Sequence, residues 1–439
     1  MKSCQRRRFL RFAVAMSLTF CFSVGVSAVA TAGKENPFGT FEPGEIVTIL
    51  GTPYNEFYIQ TIPEFEKKTG LRINLVTMKD WEIVAQMGMV LAAGSIAYDV
   101  VYTWISETAD LAETYFEDLT DTPLWTEANV RNTPKPSLDC VSWKGRIYGV
   151  PRNLSIRILM YNKELFSEYG IPGAPATIAE YISFAQKLTR DRTGDGRTDL
   201  WGVSCTWDAG NIVQDFMCRL LQHGGKEWDE YGNPLFNQEV GINALQDMVD
   251  AIHKYKFLHP NTPSMSEFAA ENLYYQRNAA MLRAWVHQCS RADDPEKSIV
   301  VGENAWTIFP GVSPGISGSV NGCEGYSLLK TSPHKAAVYE WFKFISTYEF
   351  QKRHVLETGW LPTRHDVLKD PEVLRSIGFA DTVVIQSEYP VGGFFGPHPA
   401  EVEEIGSSYL QLAVRQKIGV KEALDAMVKD IKEMMEKKK

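Results

Sequence analysis

From Ile46 to Tyr102 the chain alternates short, β-branched apolar runs with amphipathic stretches, and few architectures accept that alternation. Ile46-Val47-Thr48-Ile49-Leu50, stopped by Gly51, reads as a strand buried on both faces. Residues 55–69 carry Phe57, Ile62 and Phe65 at helical spacing and end at Gly70, a glycine cap. Leu71 to Val76 is a second strand, 80–93 a second helix ending at Gly94, and Tyr98-Asp99-Val100-Val101-Tyr102 a third strand. Strand–helix repeats of this kind predict an α/β domain with a mostly parallel sheet. Ligands of such sheets bind at the carboxyl ends of the strands. Here those ends are Gly51–Tyr54, Thr77–Trp81 and Thr103–Trp104.

The alternation resumes further on. Strands are expected at 156–161, near 200–205 and at 279–282, with amphipathic helices at 177–190, 211–222 and 239–255. Further helices are expected at 333–347 and 420–437. A chain of 439 residues exceeds what one core supports, since cores stop growing near about 250–300 residues. Two α/β lobes are therefore expected.

The first residues read as an export signal. Arg6-Arg7-Arg8 precede an uncharged run from Phe12 to Ala30, and Ala28-Val29-Ala30 and Ala30-Thr31-Ala32 are small-x-small cleavage sites. Arg6-Arg7-Arg8-Phe9-Leu10-Arg11 also resembles a twin-arginine signal, so either export route fits. A signal peptide of residues 1–32 and a flexible leader of residues 33–44 are expected, and with them a periplasmic protein. Without residues 1–32 the chain has 40 Lys and Arg against 54 Asp and Glu, a net charge of −14. Nucleic-acid binding wants a basic face and is disfavoured. Cys140, Cys205, Cys218, Cys289 and Cys323 remain, an odd number without CxxC spacing, which reads as scattered small buried hydrophobes.

Several ordered stretches carry a family resemblance. They are Pro63-Glu64-Phe65-Glu66-Lys67-Lys68-Thr69-Gly70, Leu91-Ala92-Ala93-Gly94-Ser95 with Tyr98-Asp99-Val100-Val101, and Trp143-Lys144-Gly145-Arg146-Ile147-Tyr148-Gly149-Val150-Pro151. Tyr161-Asn162-Lys163-Glu164-Leu165-Phe166, Ala279-Ala280-Met281 ending at Trp285, and Thr358-Gly359-Trp360-Leu361-Pro362-Thr363-Arg364 follow in order. Across roughly residues 46–435 the chain resembles the extracellular solute-binding proteins of ABC importers, in the sugar-binding, maltose-binding-protein-like branch. The resemblance implies a type II periplasmic-binding fold, two α/β lobes joined by crossing segments with a ligand cleft between them. Lobe 1 is expected from residues 45–151 and 325–395, lobe 2 from 152–324 and 396–439. It also implies a monomer that delivers a carbohydrate to a membrane permease and catalyses nothing. No HExxH pattern argues otherwise.

A sugar offers an apolar ring face and hydroxyls, so aromatic rings and hydrogen-bonding groups are sought together. Strand ends and resemblance nominate Tyr54, Asp80, Trp81, Trp104, Arg152, Asn153, Trp207, Arg283, Trp285, Glu324, Trp360 and Phe394 as ligand contacts. Arg152, Arg157 and Arg283 keep an anionic ligand open, a sugar acid or glycerol phosphate, because guanidinium suits carboxylate and phosphate. Separately, Asp191, Thr193, Asp195 and Asp199 fall at positions 1, 3, 5 and 9 of an EF-hand-like loop, with Gly196 at 6 and Arg197 at 7. A structural calcium ion is one reading of that loop, although Gly202 stands where the bidentate Glu belongs. No other cofactor is required.

Overall fold

The structure, a computed structural model, describes residues 36–52, 56–94, 96–393 and 398–438, without the side chains of residues 80, 81, 84 and 85. The expected export segment lies outside the described residues. Strands β1 (Ile46–Gly51), β2 (Arg72–Thr77) and β3 (Val100–Trp104) run parallel with β1 in the middle. Val47, Ile49, Leu50, Val100 and Val101 are fully buried, as apolar runs in a sheet covered on both faces must be. Strands β4 (Ser142–Trp143) and β5 (Arg146–Ile147) form a hairpin whose turn residues Lys144 and Gly145 both have positive φ, 46° and 78°. That is the left-handed pair a two-residue hairpin turn demands. Strand β6 (Gly149–Pro151) is an edge of the first sheet.

The chain then crosses into a second lobe. Strands β7 (Arg157–Asn162), β8 (Met281–Trp285) and β9 (Asn304–Thr307) make an antiparallel sheet in the order β8-β7-β9. Helices Asn211–Gln222, Glu239–His253, Pro399–Val414 and Val420–Lys437 pack a core of Phe216, Leu245, Met248, Leu410, Leu424 and Met427. The strand expected near 200–205 exists only as isolated bridges, Trp201 to Ala279 and Ser204 to Leu282. Past β10 (Ser319–Val320) the chain returns, and β11 (Glu324–Leu328) inserts antiparallel between β3 and β6.

Two expected boundaries move. Residues 379–392, assigned to lobe 1, pack largely on lobe 2. The Phe379 ring meets Trp306 at 5.8 Å, Gln386 Oε1 accepts from Phe309 N, and β12 (Val391–Gly392) pairs with β10. The described part of the leader, from Asn36, packs against lobe 1. Asn36 is buried, and its Nδ2 donates to Ala336 O at 2.9 Å and Glu340 Oε1 at 3.0 Å, while Phe38 packs edge-on against Tyr339. An amide that satisfies its donors in a protein groove has a reason to stay there. All five described cysteines are free and buried.

Candidate functional site

Two crossing strands lie side by side and set the geometry of everything between the lobes. Gly322 N donates to Ser155 O at 2.8 Å, Arg152 N to Glu324 O at 2.7 Å, and Leu154 N to Leu361 O at 3.0 Å. Beside them opens a cavity of about 400 Å³ bounded by both lobes. That lies within the usual range for small-molecule sites, roughly 300–1,000 Å³.

Four expected residues line it: Trp104, Trp285, Glu324 and Trp360. Trp104 ends β3 and caps the helix Ile105–Tyr115, its backbone N–H bonded to Glu107 Oε2 at 3.0 Å and its ring edge-on to Tyr102 at 4.7 Å. Glu324 opens β11 in register with Trp104. Trp285 ends β8 and its N–H donates to Gln288 Oε1 at 2.8 Å. Trp360 follows the helix Tyr348–Thr358, which is closed by Gly359 at φ 75°, a left-handed cap that turns the chain toward the cleft.

Each of two tryptophans is backed by a cation. The Arg157 guanidinium sits 4.4 Å from the Trp285 ring centroid; the Arg152 guanidinium lies 5.1 Å from Trp360, which also meets His287 at 5.3 Å. Such contacts hold a ring in place with one face committed. Arg157 also donates from Nη2 to Asn211 Oδ1 at 2.8 Å and Gln214 Oε1 at 3.3 Å, fixing two amides that line the cavity.

The arginines do not present free charge. Arg152 is 1% exposed and pairs with Glu324, whose Oε2 also accepts from Asn153 Nδ2 at 2.9 Å. Burial opposes the Arg152 charge, yet Glu324 together with Tyr102, Tyr326 and Tyr58 more than offsets it and raises the guanidinium pKa. Asn153 is fully buried and braces Glu324 from behind. Arg283 is not in the cleft. It is buried, bonded to Asp215 Oδ1 at 2.5 Å and stacked on Phe309. Trp207 is likewise interior, with no exposure and its Nε1 on Asp215 Oδ2 at 2.7 Å. Both expectations fail for the same reason: Asp215 gathers these side chains into the lobe 2 core. Tyr54 and Phe394 lie outside the described residues, and the side chains of Asp80 and Trp81 are not described.

The sequence reading missed Ser155, Asn211, Gln214, Glu267, His287, Asn321 and Glu403, all of which line the cavity. Asn321 stood next to the nominated crossing and His287 two residues beyond Trp285. Glu403 lies within a helix and had no local signal. His287 Nε2 bonds Glu267 Oε1 at 3.0 Å, while its Nδ1 is buried without a partner. Burial would raise the Glu267 pKa, but that bond and the nearby arginines hold it below the ordinary value.

The Asp191–Asp199 loop closes on itself. Asp191 accepts from Gly194 N and Gly196 N at 2.6 Å each, Asp195 from Arg197 N at 2.9 Å, and Asp199 from Arg192 N and Nε at 3.0 Å. Arg192 already supplies a positive charge, and among the described residues no three acidic, His or Cys side chains converge as metal ligands. The loop therefore gives calcium no geometric support. A further cavity of about 480 Å³, lined by Leu124, Trp125, Tyr339 and Arg364, lies wholly within lobe 1, where lobe closure cannot enclose it.

Comparisons with known proteins agree with this architecture. The chain is similar to maltose-bound T. maritima MalE3, with 23% identity, a TM-score of 0.77 and coverage of 89% of this chain and 100% of that one. It is also similar to a solute-binding protein of Agrobacterium radiobacter K84 in complex with ribitol, at 21% identity and a TM-score of 0.74, covering 89% and 99%. Among curated relatives, a probable ABC transporter-binding protein of Deinococcus radiodurans is 22% identical over 240 residues, 54% of this chain and 56% of that one. An erythritol/L-threitol-binding protein of Mycolicibacterium smegmatis is 22% identical over 275 residues, 55% and 56%. The chain thus matches little more than half the length of these two relatives. The family model for bacterial extracellular solute-binding proteins matches residues 51–352, well over half the chain, and the protein belongs to that family.

Proposed function

We propose that this protein is an exported receptor that closes its two lobes around a sugar or polyol and hands it, unaltered, to the permease of an ABC importer. The observation that carries the reading is the gathering of Trp285 and Trp360 in the lining of one cavity, together with the fixed amides of Asn211 and Gln214. Stacked rings suit a sugar's apolar face and amides its hydroxyls. The names of similar proteins, which mention maltose, ribitol and erythritol, support the ligand class. Ligand contacts made only when both lobes meet stabilise the closed state by differential affinity. Moving that equilibrium from 1:99 to 99:1 takes about 5.5 kcal/mol.

The anionic alternative loses support, because Arg152 pairs with Glu324, Arg283 pairs with Asp215 inside lobe 2, and no arginine is among the described residues that line the cavity. Calorimetry and thermal shift against sugars, polyols, sugar acids and glycerol phosphate test the reading. Binding should come from the uncharged set, with recovery of intact ligand. Trp285→Ala should weaken it at least tenfold, and unchanged affinity in that variant would remove the ring from the site.

A further inference from the structure

Four arginines are buried among the described residues, and one differs from the rest. Arg152 pairs with Glu324, and Arg219 and Arg283 pair with Asp215 at 3.1 Å and 2.5 Å. Arg157 is 1% exposed, yet its only carboxylate partner among the described residues is Asp215 Oδ1 at 4.0 Å, an atom Arg283 already holds. Its Nε and Nη1 have no hydrogen-bond partner among the described residues. Three guanidiniums thus share one carboxylate, and Arg157 is the one left over. Burial opposes every one of these charges. The groups around Arg152, Arg219 and Arg283 outweigh it and raise their pKa values, whereas around Arg157 burial wins and the value falls. For the stability of lobe 2 alone such an ion is a poor choice. Replacing a buried charge by an apolar side chain of similar volume is often neutral or stabilising.

The contacts Arg157 does make lead to the cleft. It does not itself line the cavity, but three of its neighbours do. The guanidinium lies 4.4 Å from the Trp285 ring centroid, and Nη2 donates to Asn211 Oδ1 at 2.8 Å and to Gln214 Oε1 at 3.3 Å. A guanidinium only donates, so it sets both amides the same way round, with oxygen toward Arg157 and NH2 away from it. Asn211 Nδ2 commits one of its hydrogens to Asp208 Oδ1 at 2.8 Å. Gln214 Nε2 has no partner among the described residues and belongs to a cavity-lining side chain.

We infer that Gln214 holds the ligand as a hydrogen-bond donor, and that Arg157 is the positioning residue that fixes this polarity and the Trp285 ring without touching the ligand. This rests on the receptor reading above and adds a direction to it. The ligand places an acceptor oxygen (hydroxyl, ring or glycosidic) against Gln214 Nε2. The cost of burying Arg157 is then a cost of function. The charge is kept where it weakens the lobe because it arranges three ligand contacts at once.

Calorimetry on the chain without its export segment tests this with glucose, maltose, ribitol and glucitol, the tightest of the four carrying the comparison. Gln214→Glu keeps the shape and an oxygen facing Arg157 but replaces the donor by an acceptor, and should bind that probe at least tenfold more weakly. Arg157→Met should bind it at least tenfold more weakly too, while its melting temperature without ligand equals or exceeds that of the wild type. Arg157→Lys keeps the charge and loses the planar fork, and should bind as weakly as Arg157→Met. Wild-type affinity in Gln214→Glu or Arg157→Met overturns the inference and leaves the receptor reading standing. Restored affinity in Arg157→Lys does the same, since charge alone would then suffice. A melting temperature of Arg157→Met lower by more than about 4 °C would make the arginine a prop of the lobe 2 core and also overturn the inference. Should the wild type bind none of the four, the reading as a receptor for neutral sugars falls, and this inference with it.

Discussion

Arg283 and Trp285 stand two residues apart on one face of β8, about 7 Å along the strand, and that spacing separates a lobe core from a cleft wall. Asp215 lies beneath, fully buried, taking Arg283 at 2.5 Å, Trp207 at 2.7 Å, Arg219 at 3.1 Å and Arg157 at 4.0 Å. Burial alone would raise its pKa; the three guanidiniums hold it far below the ordinary carboxylate range. Asp215→Ala leaves those cations buried without their anion. Breaking such a pair costs about 3–5 kcal/mol, so urea denaturation should show a loss of at least that size. A loss below 1 kcal/mol would mean that the arginines find water or another partner. This cluster also explains what the sequence could and could not reveal. Trp285, Trp104 and Trp360 were legible because each ends a strand or follows a helix stop. Trp207 and Arg283 carry the same local signature, and only the distant Asp215 on a facing helix turns them inward.

Among the elements, the crossing segments are the most sensitive to small changes. A Cβ on Gly322 would fall 2.7 Å from Trp285 Cζ3 and 2.8 Å from Cη2, too close for either to stay. The ring cannot yield easily, since Arg157 stacks on it 4.4 Å away. Gly322→Ala should therefore displace Trp285 and weaken ligand binding about tenfold, with a stability loss within the range of about 1–3 kcal/mol typical of overpacking. Calorimetry and denaturation on the same variant separate the two effects, and wild-type affinity would show that the ring has room to slide. The first three strands and their helices were readable because buried parallel strands need unbroken apolar runs. β11 was not. Glu324-Gly325-Tyr326-Ser327-Leu328 has no β-branched residue, and its place between β3 and β6 comes from pairing with residues more than 170 positions earlier. The packing of the leader was not readable for a similar reason, since the groove that holds Asn36 is built 300 residues later.

For the whole molecule, a buried acid in lobe 2 ties overall stability to pH. Glu227 of lobe 2 is 9% exposed, and its Oε1 accepts from Gly393 N at 3.2 Å, just past β12. Burial pushes its pKa up to about 7, with that one hydrogen bond opposing. The folded protein thus keeps a proton that the unfolded chain, near the ordinary value of about 4.3, has already lost. Stability contributed by the protonated form is full below the unfolded value and is lost as pH rises through about 7. The total change is about 4 kcal/mol. On the other side, burial lowers the His354 pKa to about 3, so the unfolded chain takes up a proton the folded protein refuses, and stability falls as pH drops below about 6.5. The two groups bracket a stability maximum on the acid side of neutrality. Glu227→Gln removes only the upper flank. Between pH 5 and pH 8 its unfolding free energy should rise by about 2–3 kcal/mol relative to that of the wild type, in which the loss at Glu227 offsets the gain at His354, with the acid flank preserved. Parallel profiles for the two proteins across that range would show that Glu227 stays ionised in the fold.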